Sequence, residues 1–593
     1  MPSLKMVSAR CGLSALILSL AVLTAAPSVA AQDPTQIVEP AESLEGNFLA
    51  AYVAGTARDT AAAATFFREA IKADPRNQEL LERAFVAFLA DGAMPEAFRA
   101  ADRLAARDGS NGLAQFALGV RALKAKQYAA ARTSLGKGGR GRAADLTATL
   151  LSAWALAGSG DGKKALETVD RLKGERAYNQ FREYHAALIA EVTGNPAEAE
   201  RHYKAAYEGE RNTLQVVDAY ARFEARRGNR DAALAIYSEF EKAVPRHPLV
   251  RATIDQIRAG KPVDPAVANA QEGAGEVLYG LGVVGTSQGD DLTAMIYLRL
   301  AAYLNPDHQL ATLTLADICE RLKQYDRANE ILARIPKDSP LHPSTEIAIG
   351  QNLELAERSA EAVQHFEKLI AERPDDTDVL MAFGNVLRSR KRFAEAAEIY
   401  TKAVERIGTP GRSDWTLFFY RGTSFERSKQ WDKAEADLKK ALELAPETQT
   451  AGRAQVLNYL AYSWVDRGLN IDEAFKMLQK AVELAPRDGM IIDSLGWAYF
   501  RLGRYEEAMR ELEKAVELKP GDPVINDHLG DAYWQVGRRL EAKFQWNHAK
   551  DSDPEHEDLV KILRKIDYGL EETKPAAAEN EPSEPQETPQ NGG

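Results

Sequence analysis

Two stretches near the C-terminus superpose with a constant shift of 34 residues: IDSLGWAYFRLGRYEEAMRELEKAVELKP from 492 and NDHLGDAYWQVGRRLEAKFQWNHAKDSDP from 526. Leu495-Gly496 falls on Leu529-Gly530, Tyr499 on Tyr533, Ala508 on Ala542, Leu512 on Trp546, Ala515 on Ala549 and Pro520 on Pro554. A period of this size restricts the fold to one supersecondary unit stacked many times, because a single unit has no way to bury its apolar face alone.

These positions resemble the tetratricopeptide repeat, a pair of antiparallel helices, and the resemblance implies an all-α solenoid wound as a right-handed superhelix. Physics accounts for the pattern. Gly496 and Ala508 are small where the two helices of a unit cross, and Ala515 lets the second helix approach the next unit. Tyr499 and Leu512 fill the space between, and Pro520 ends the second helix because it cannot continue the hydrogen-bond ladder. The frame recurs upstream at Leu460, Ala461, Trp464, Ala474, Leu478, Ala481 and Pro486, and again at Gly422, Phe425, Ala434, Leu438, Ala441 and Pro446. Gly384 with Ala396, Tyr400 and Ala403, and Gly350 with Ala362, Phe366 and Pro374, continue it.

The run Gly280-Leu-Gly282-Val-Val-Gly285 has the spacing of a dinucleotide-binding loop. That loop follows a strand and opens a helix. Here Leu281-Gly282 takes the Leu-Gly position of a repeat that continues through Ala294, Leu298, Ala301 and Pro306, so the glycines are expected inside a first helix. Each costs a helix about 1 kcal/mol relative to alanine, which predicts a locally soft element.

Upstream of Gln271 the units diverge. Ala63, Phe67, Ala70 and Pro75 fit, as do Ala97 with Leu104, Gly119 with Ala131 and Leu135, Ala199 with Tyr203, and Ala221 with Ala233, Tyr237 and Pro245; Ala165 with Val169 is the poorest. About fourteen units are expected, end repeats being the hardest to recognise. The predicted organisation is a signal peptide at 1–30, a linker at 31–44, a divergent N-terminal solenoid at 45–257, a Pro- and Gly-broken boundary at 258–273, and a C-terminal solenoid at 274–555. A capping helix at 556–570 follows, with Leu559, Ile562, Leu563 and Ile566 on one face, and then a disordered Pro- and Glu-rich tail at 571–593.

Lys5 and Arg10, then the apolar LSALILSLAVLTAA and the small residues around Ala30 and Ala31, form a secretory signal. A retained membrane anchor is the competing reading. Nothing later in the sequence is long and apolar enough to span a bilayer, so export to the periplasm is expected. The formal net charge of −12 argues against nucleic acid as the main partner. The run Gly-Lys-Gly-Gly-Arg-Gly-Arg at 136–142 is a local exception, read as a solvated loop rather than a phosphate site. Of the two cysteines, Cys11 lies in the leader and precedes the apolar core, and Cys319 sits among apolar neighbours as a small core residue.

No catalytic motif is apparent. The nine histidines form no metal-binding helix motif, and no nucleophile elbow, Walker loop or cysteine pair occurs. No enzyme activity, cofactor or metal is therefore expected. The family resemblance places a partner groove on the first helices. In the last three units its positions give Asn458, Tyr462, Asp466, Met490, Asp493, Trp497, Phe500, Arg501, Asp527, Asp531, Trp534 and Gln535. Aromatic anchors beside carboxylates and amides suit an extended or helical peptide, although Trp497 and Trp534 serve equally well as plugs between units. The Lys, Asn and Arg pattern that clamps a C-terminal carboxylate in some chaperone-binding relatives is not matched.

A signal followed by a full-length array resembles the large envelope tetratricopeptide proteins of Gram-negative bacteria. One sort is an adaptor that presents substrates to a periplasmic C-terminal processing protease. Those adaptors are typically lipoproteins, and the lipid-attachment cysteine is missing here. The expected function is a non-enzymatic, exported protein-binding scaffold, possible partners being such a protease and its substrates. An assembly or secretion factor for an envelope polymer or outer-membrane protein is the alternative, and a non-catalytic relative of a repeat-containing glycosyltransferase is a third class.

Overall fold

The computed structural model describes residues 43–138, 142–172 and 178–570. The leader with Cys11, the linker up to 42, residues 139–141 of the basic glycine run and the acidic tail lie outside the described residues. Among the described residues there are thirty α-helices and no strand. The fold is an all-α tetratricopeptide-repeat solenoid.

The chain divides into two units, one ending at Arg107 and the other beginning at Asp108. The first unit holds two helical hairpins, Leu44–Thr56 with Thr60–Ala73 and Gln78–Asp91 with Met94–Arg107, around Phe67, Phe85, Phe88 and Leu104. The second holds twelve hairpins and two single helices, Pro248–Arg258 and His556–Tyr568.

Two local rules generate every hairpin. The first concerns the turn. Between the two helices of each hairpin the chain passes through a residue with positive φ, at 58, 92, 126, 160, 194, 228, 289, 323, 357, 391, 429, 468, 503 and 537, with Asn470 as a second one in the turn at 468. Glycine takes eight of these fourteen positions without strain, while Arg58, Lys126, Lys323, Glu357, Lys391 and Lys429 accept the left-handed region as polar residues do at helix ends. The spacing is a constant 34 residues from 58 to 228 and again from 289 to 391. The N-terminal repeats have therefore drifted in side chains but not in register.

The second rule concerns the crossing. A Cβ built on Gly119, Gly282, Gly350, Gly384, Gly422, Gly496 or Gly530 would lie 2.4–3.1 Å from Leu135, Leu298, Phe366, Tyr400, Leu438, Leu512 or Trp546 respectively. In every case the large residue is sixteen positions further on. A missing side chain on the first helix thus seats a large side chain of the second, and Tyr400, Phe366 and Trp546 are fully buried as a result.

The glycine run is explained by both its faces. Gly280, Gly282 and Gly285 lie within the helix Ala270–Ser287, not at its start, so their amides serve the helical ladder. Gly282 and Gly285 receive Leu298 and Ala294 of the following helix, while Gly280 faces Phe181 and Gly273 faces Trp154. The expectation of a soft helix misses this: the glycines admit close contacts on two sides, and eleven residues of the helix are buried. Cys319 is buried too.

Candidate functional site

Successive first helices touch one another in the C-terminal repeats: Thr450–Arg467 meets Gly489–Arg501, which meets Pro523–Gln535. They make a continuous wall, and the twelve residues singled out from the sequence are distributed over it in three ways.

Some face open space. Asn458 and Met490 line a cleft of about 1000 Å³ together with Tyr420, Gln455, Tyr459 and Lys519. Met490 is exposed, and Asp466 is exposed at the far end of its helix, where its carbonyl accepts from Arg501 Nη1 at 3.1 Å. Gln535 is half-buried.

Others hold the wall together. The Trp497 ring stacks on Phe500 at 4.8 Å and on His528 at 4.1 Å, both nearly parallel, and packs against the apolar clusters on either side of it. Asp493 is buried and its Oδ1 lies 2.9 Å from His528 Nδ1. Burial by itself would pull the His528 imidazole down; Asp493, with Asp527 and Asp531, outweighs it and raises it above its ordinary value. Tyr462 is half-buried, and burial followed by the charges of Asp493 and Asp466 pushes its hydroxyl up. Trp534 lies 5.4 Å from Trp546, with Arg539 over its face at 5.0 Å.

The third group is already occupied. The terminal helix His556–Tyr568 puts Lys565 Nζ 2.7 Å from both Asp527 Oδ2 and Asp531 Oδ2. Trp546 Nε1 donates to the other oxygen of Asp531 at 2.9 Å. Burial pushes the Asp531 carboxyl up to about 6, with Lys565 pulling it back and Asp527 pushing further. Gly569 lies against the Trp534 ring so closely that a Cβ there would stand 2.1 Å from it. At the other end Glu555 Oε1 is 2.7 Å from Lys391 Nζ, in the turn of the hairpin Thr377–Ser389 and Phe393–Ile407. Asp558 adds its charge to those acting on Tyr462. The terminal helix therefore spans from Trp534 to a hairpin four units upstream. On the face expected to cap the array, Ile562 is buried and Leu563 is exposed.

Lys565 and His528 were not among the groove residues read from the sequence, yet the frame points to them. Lys565 lies 34 residues after Asp531, and Ile562 lies 34 after His528. Extending the repeat past Pro554 would have placed both against the wall.

The helix Ala270–Ser287 does something similar further upstream. It packs on the first helices Gly112–Lys124, Arg142–Gly158 and Asn179–Val192. Gln271 Nε2 donates to the Leu123 carbonyl at 2.8 Å, and Tyr184 Oη donates to Glu276 Oε2 at 3.4 Å. His308 Nε2 lies 3.0 Å from Glu276 Oε1. Burial raises Glu276, but His308 above all, with His185 and Tyr184, more than reverses it, so the carboxyl sits below its ordinary value. This contact is interlocked.

A wall of first helices carrying clefts and charged floor positions defines a helical-repeat binding protein. Family models for the tetratricopeptide repeat match residues 347–413 and 496–537. Those two stretches are tetratricopeptide repeats. It is 25% identical over 195 residues to a TPR repeat-containing protein of Pseudomonas aeruginosa, a match that covers 33% of this chain and 31% of that relative. Among solved structures it is similar to the Cut9–Hcn1 hetero-tetramer of the APC/C (14% identity, 89% of this chain and 97% of that one, TM-score 0.36). It is also similar to YrrB, described as a TPR protein with an unusual peptide-binding site (24% identity, 34% of this chain and 97% of that one, TM-score 0.25).

Proposed function

We propose that the protein is an exported, non-enzymatic scaffold that holds a polypeptide partner on the first-helix wall of its C-terminal repeats, in the manner of an adaptor for an envelope protease. The observation that carries this reading is the open cleft beside Met490. Its rim exposes Met490 and Leu518, with Val524 exposed on the next first helix, and Asn458 Oδ1 is buried in it without a hydrogen-bond partner among the described residues. Apolar anchors around an unsatisfied acceptor are what a peptide backbone and side chain together can fill.

The test is a photo-crosslinking residue at Met490, with Lys480 on the exposed second helix Ile471–Leu484 as the control, in cells of a Gram-negative host. Crosslinks from 490 and none from 480 are expected, in the envelope fraction. Recovery of a protease with its substrates supports the adaptor role, and recovery of secretion or assembly machinery replaces it by the alternative cargo. Equal crosslinking from both positions, or a purely cytoplasmic protein, contradicts the proposal.

A further inference from the structure

Two helices of this chain lie on first-helix walls, and they differ sharply. Ala270–Ser287 buries eleven residues, under Trp154 and Phe181. His556–Tyr568 buries one, Ile562, while its Val560, Leu563 and Tyr568 are exposed. Lys565 meets Asp527 and Asp531, and the Glu555–Lys391 pair is exposed at both ends, where ion pairs contribute little. Beneath Lys565 the floor holds Asp527 and Asp531, while Asp493 on the neighbouring first helix pairs with His528.

We propose that the terminal helix is a displaceable occupant of the groove, and that the partner it gives way to is an amphipathic helix carrying a lysine or arginine beside its apolar face. The partner's cation takes the place of Lys565 between Asp527 and Asp531, and its apolar face takes the place of Ile562 and Ile566 in the apolar cluster that includes Phe500 and Trp497. An acidic or neutral helix would leave two carboxylates facing each other without a counter-charge. This deepens the scaffold reading above and rests on it for the existence of an outside partner. The exchange of helices is tested with purified protein, so failure to find a partner in cells leaves it standing.

The experiment uses the full chain and a fluorescently labelled peptide of residues 555–570 as probe, read by polarisation. Wild-type protein is compared with Lys565→Glu, which expels the terminal helix by charge, and with Lys391→Cys/Glu555→Cys closed by a bismaleimide, which holds it in place; Cys11→Ser is present in every form, and Cys319 is buried and does not compete for the reagent. The probe is expected to bind Lys565→Glu at least tenfold tighter than wild type and the closed form not at all. Adding Asp531→Asn to Lys565→Glu should abolish the gain. An unrelated Lys/Leu helix should displace the probe and a Glu/Leu helix should not. Equal binding to wild type and Lys565→Glu, or displacement by the acidic helix, overturns the proposal. So does loss of the C-terminal repeats' helical signal in Lys565→Glu, which would make the terminal helix a structural cap.

Discussion

Gly273 and Gly55 show how the same residue type answers to different forces. A Cβ on Gly273 would stand 2.2–2.4 Å from three ring atoms of Trp154, which is wholly buried, whereas a Cβ on Gly55 meets nothing within 4 Å. Alanine gains about 1 kcal/mol of helix propensity at either site. At Gly273 that gain is outweighed by overpacking at its severe end, giving a net loss of about 2 kcal/mol. Denaturant unfolding should show Gly273→Ala destabilised and Gly55→Ala unchanged or slightly more stable. The sequence placed the glycine run in a repeat helix from its Leu-Gly register. It did not disclose that Trp154 and Phe181 face that helix, because those partners lie about a hundred residues away, outside any local pattern.

His185 belongs to the same interface. It is fully buried, it accepts a hydrogen bond from Trp154 Nε1 at 3.3 Å, and burial lowers its imidazole to about 4. The folded state binds this proton less readily than the unfolded chain does. Stability from this group is therefore complete above its ordinary value of 6.5, declines as the pH falls, and is lost below about 4. The shift corresponds to something on the order of 3 kcal/mol. Unfolding measured at pH 7.5 and 4.5 should show a smaller difference in His185→Gln than in wild type.

At the scale of elements, the helices were legible and their docking was not. Pro520, Pro486 and Pro446 mark helix ends because proline stops the ladder, and the structure ends second helices within two residues of each. The divergent N-terminal hairpins are harder to read because their packing residues vary, while the constant feature is the turn residue every 34 positions. Proline and glycine at 258–273 suggested a boundary, and the backbone there is irregular from Lys261 to Asn269. Directly after it, Ala270–Ser287 locks onto three first helices of the preceding block. Cleavage at a protease site inserted within 262–268 should therefore leave the two fragments co-eluting in gel filtration, held by Trp154, Phe181 and Tyr184. Separation under native conditions would contradict the interlock.

At the scale of the whole molecule, the repeats supply a wall and the chain supplies its own trial ligands for it. Of the predicted groove residues, Asn458 and Met490 are open, Trp497 and Asp493 are built into the wall, and Asp527 and Asp531 are engaged by Lys565. The family pattern specifies which positions face the groove, but burial there depends on what lies opposite, and Lys391 to Glu555 spans 164 residues. Hydrogen exchange of the full chain, with and without a saturating Lys/Leu helical peptide, tests this most directly. Amides of 490–501 and 523–535 should slow on addition while those of 556–568 speed up at least tenfold. Unchanged exchange in all three segments, or slowing in 556–568 as well, would contradict a groove that trades its own helix for another.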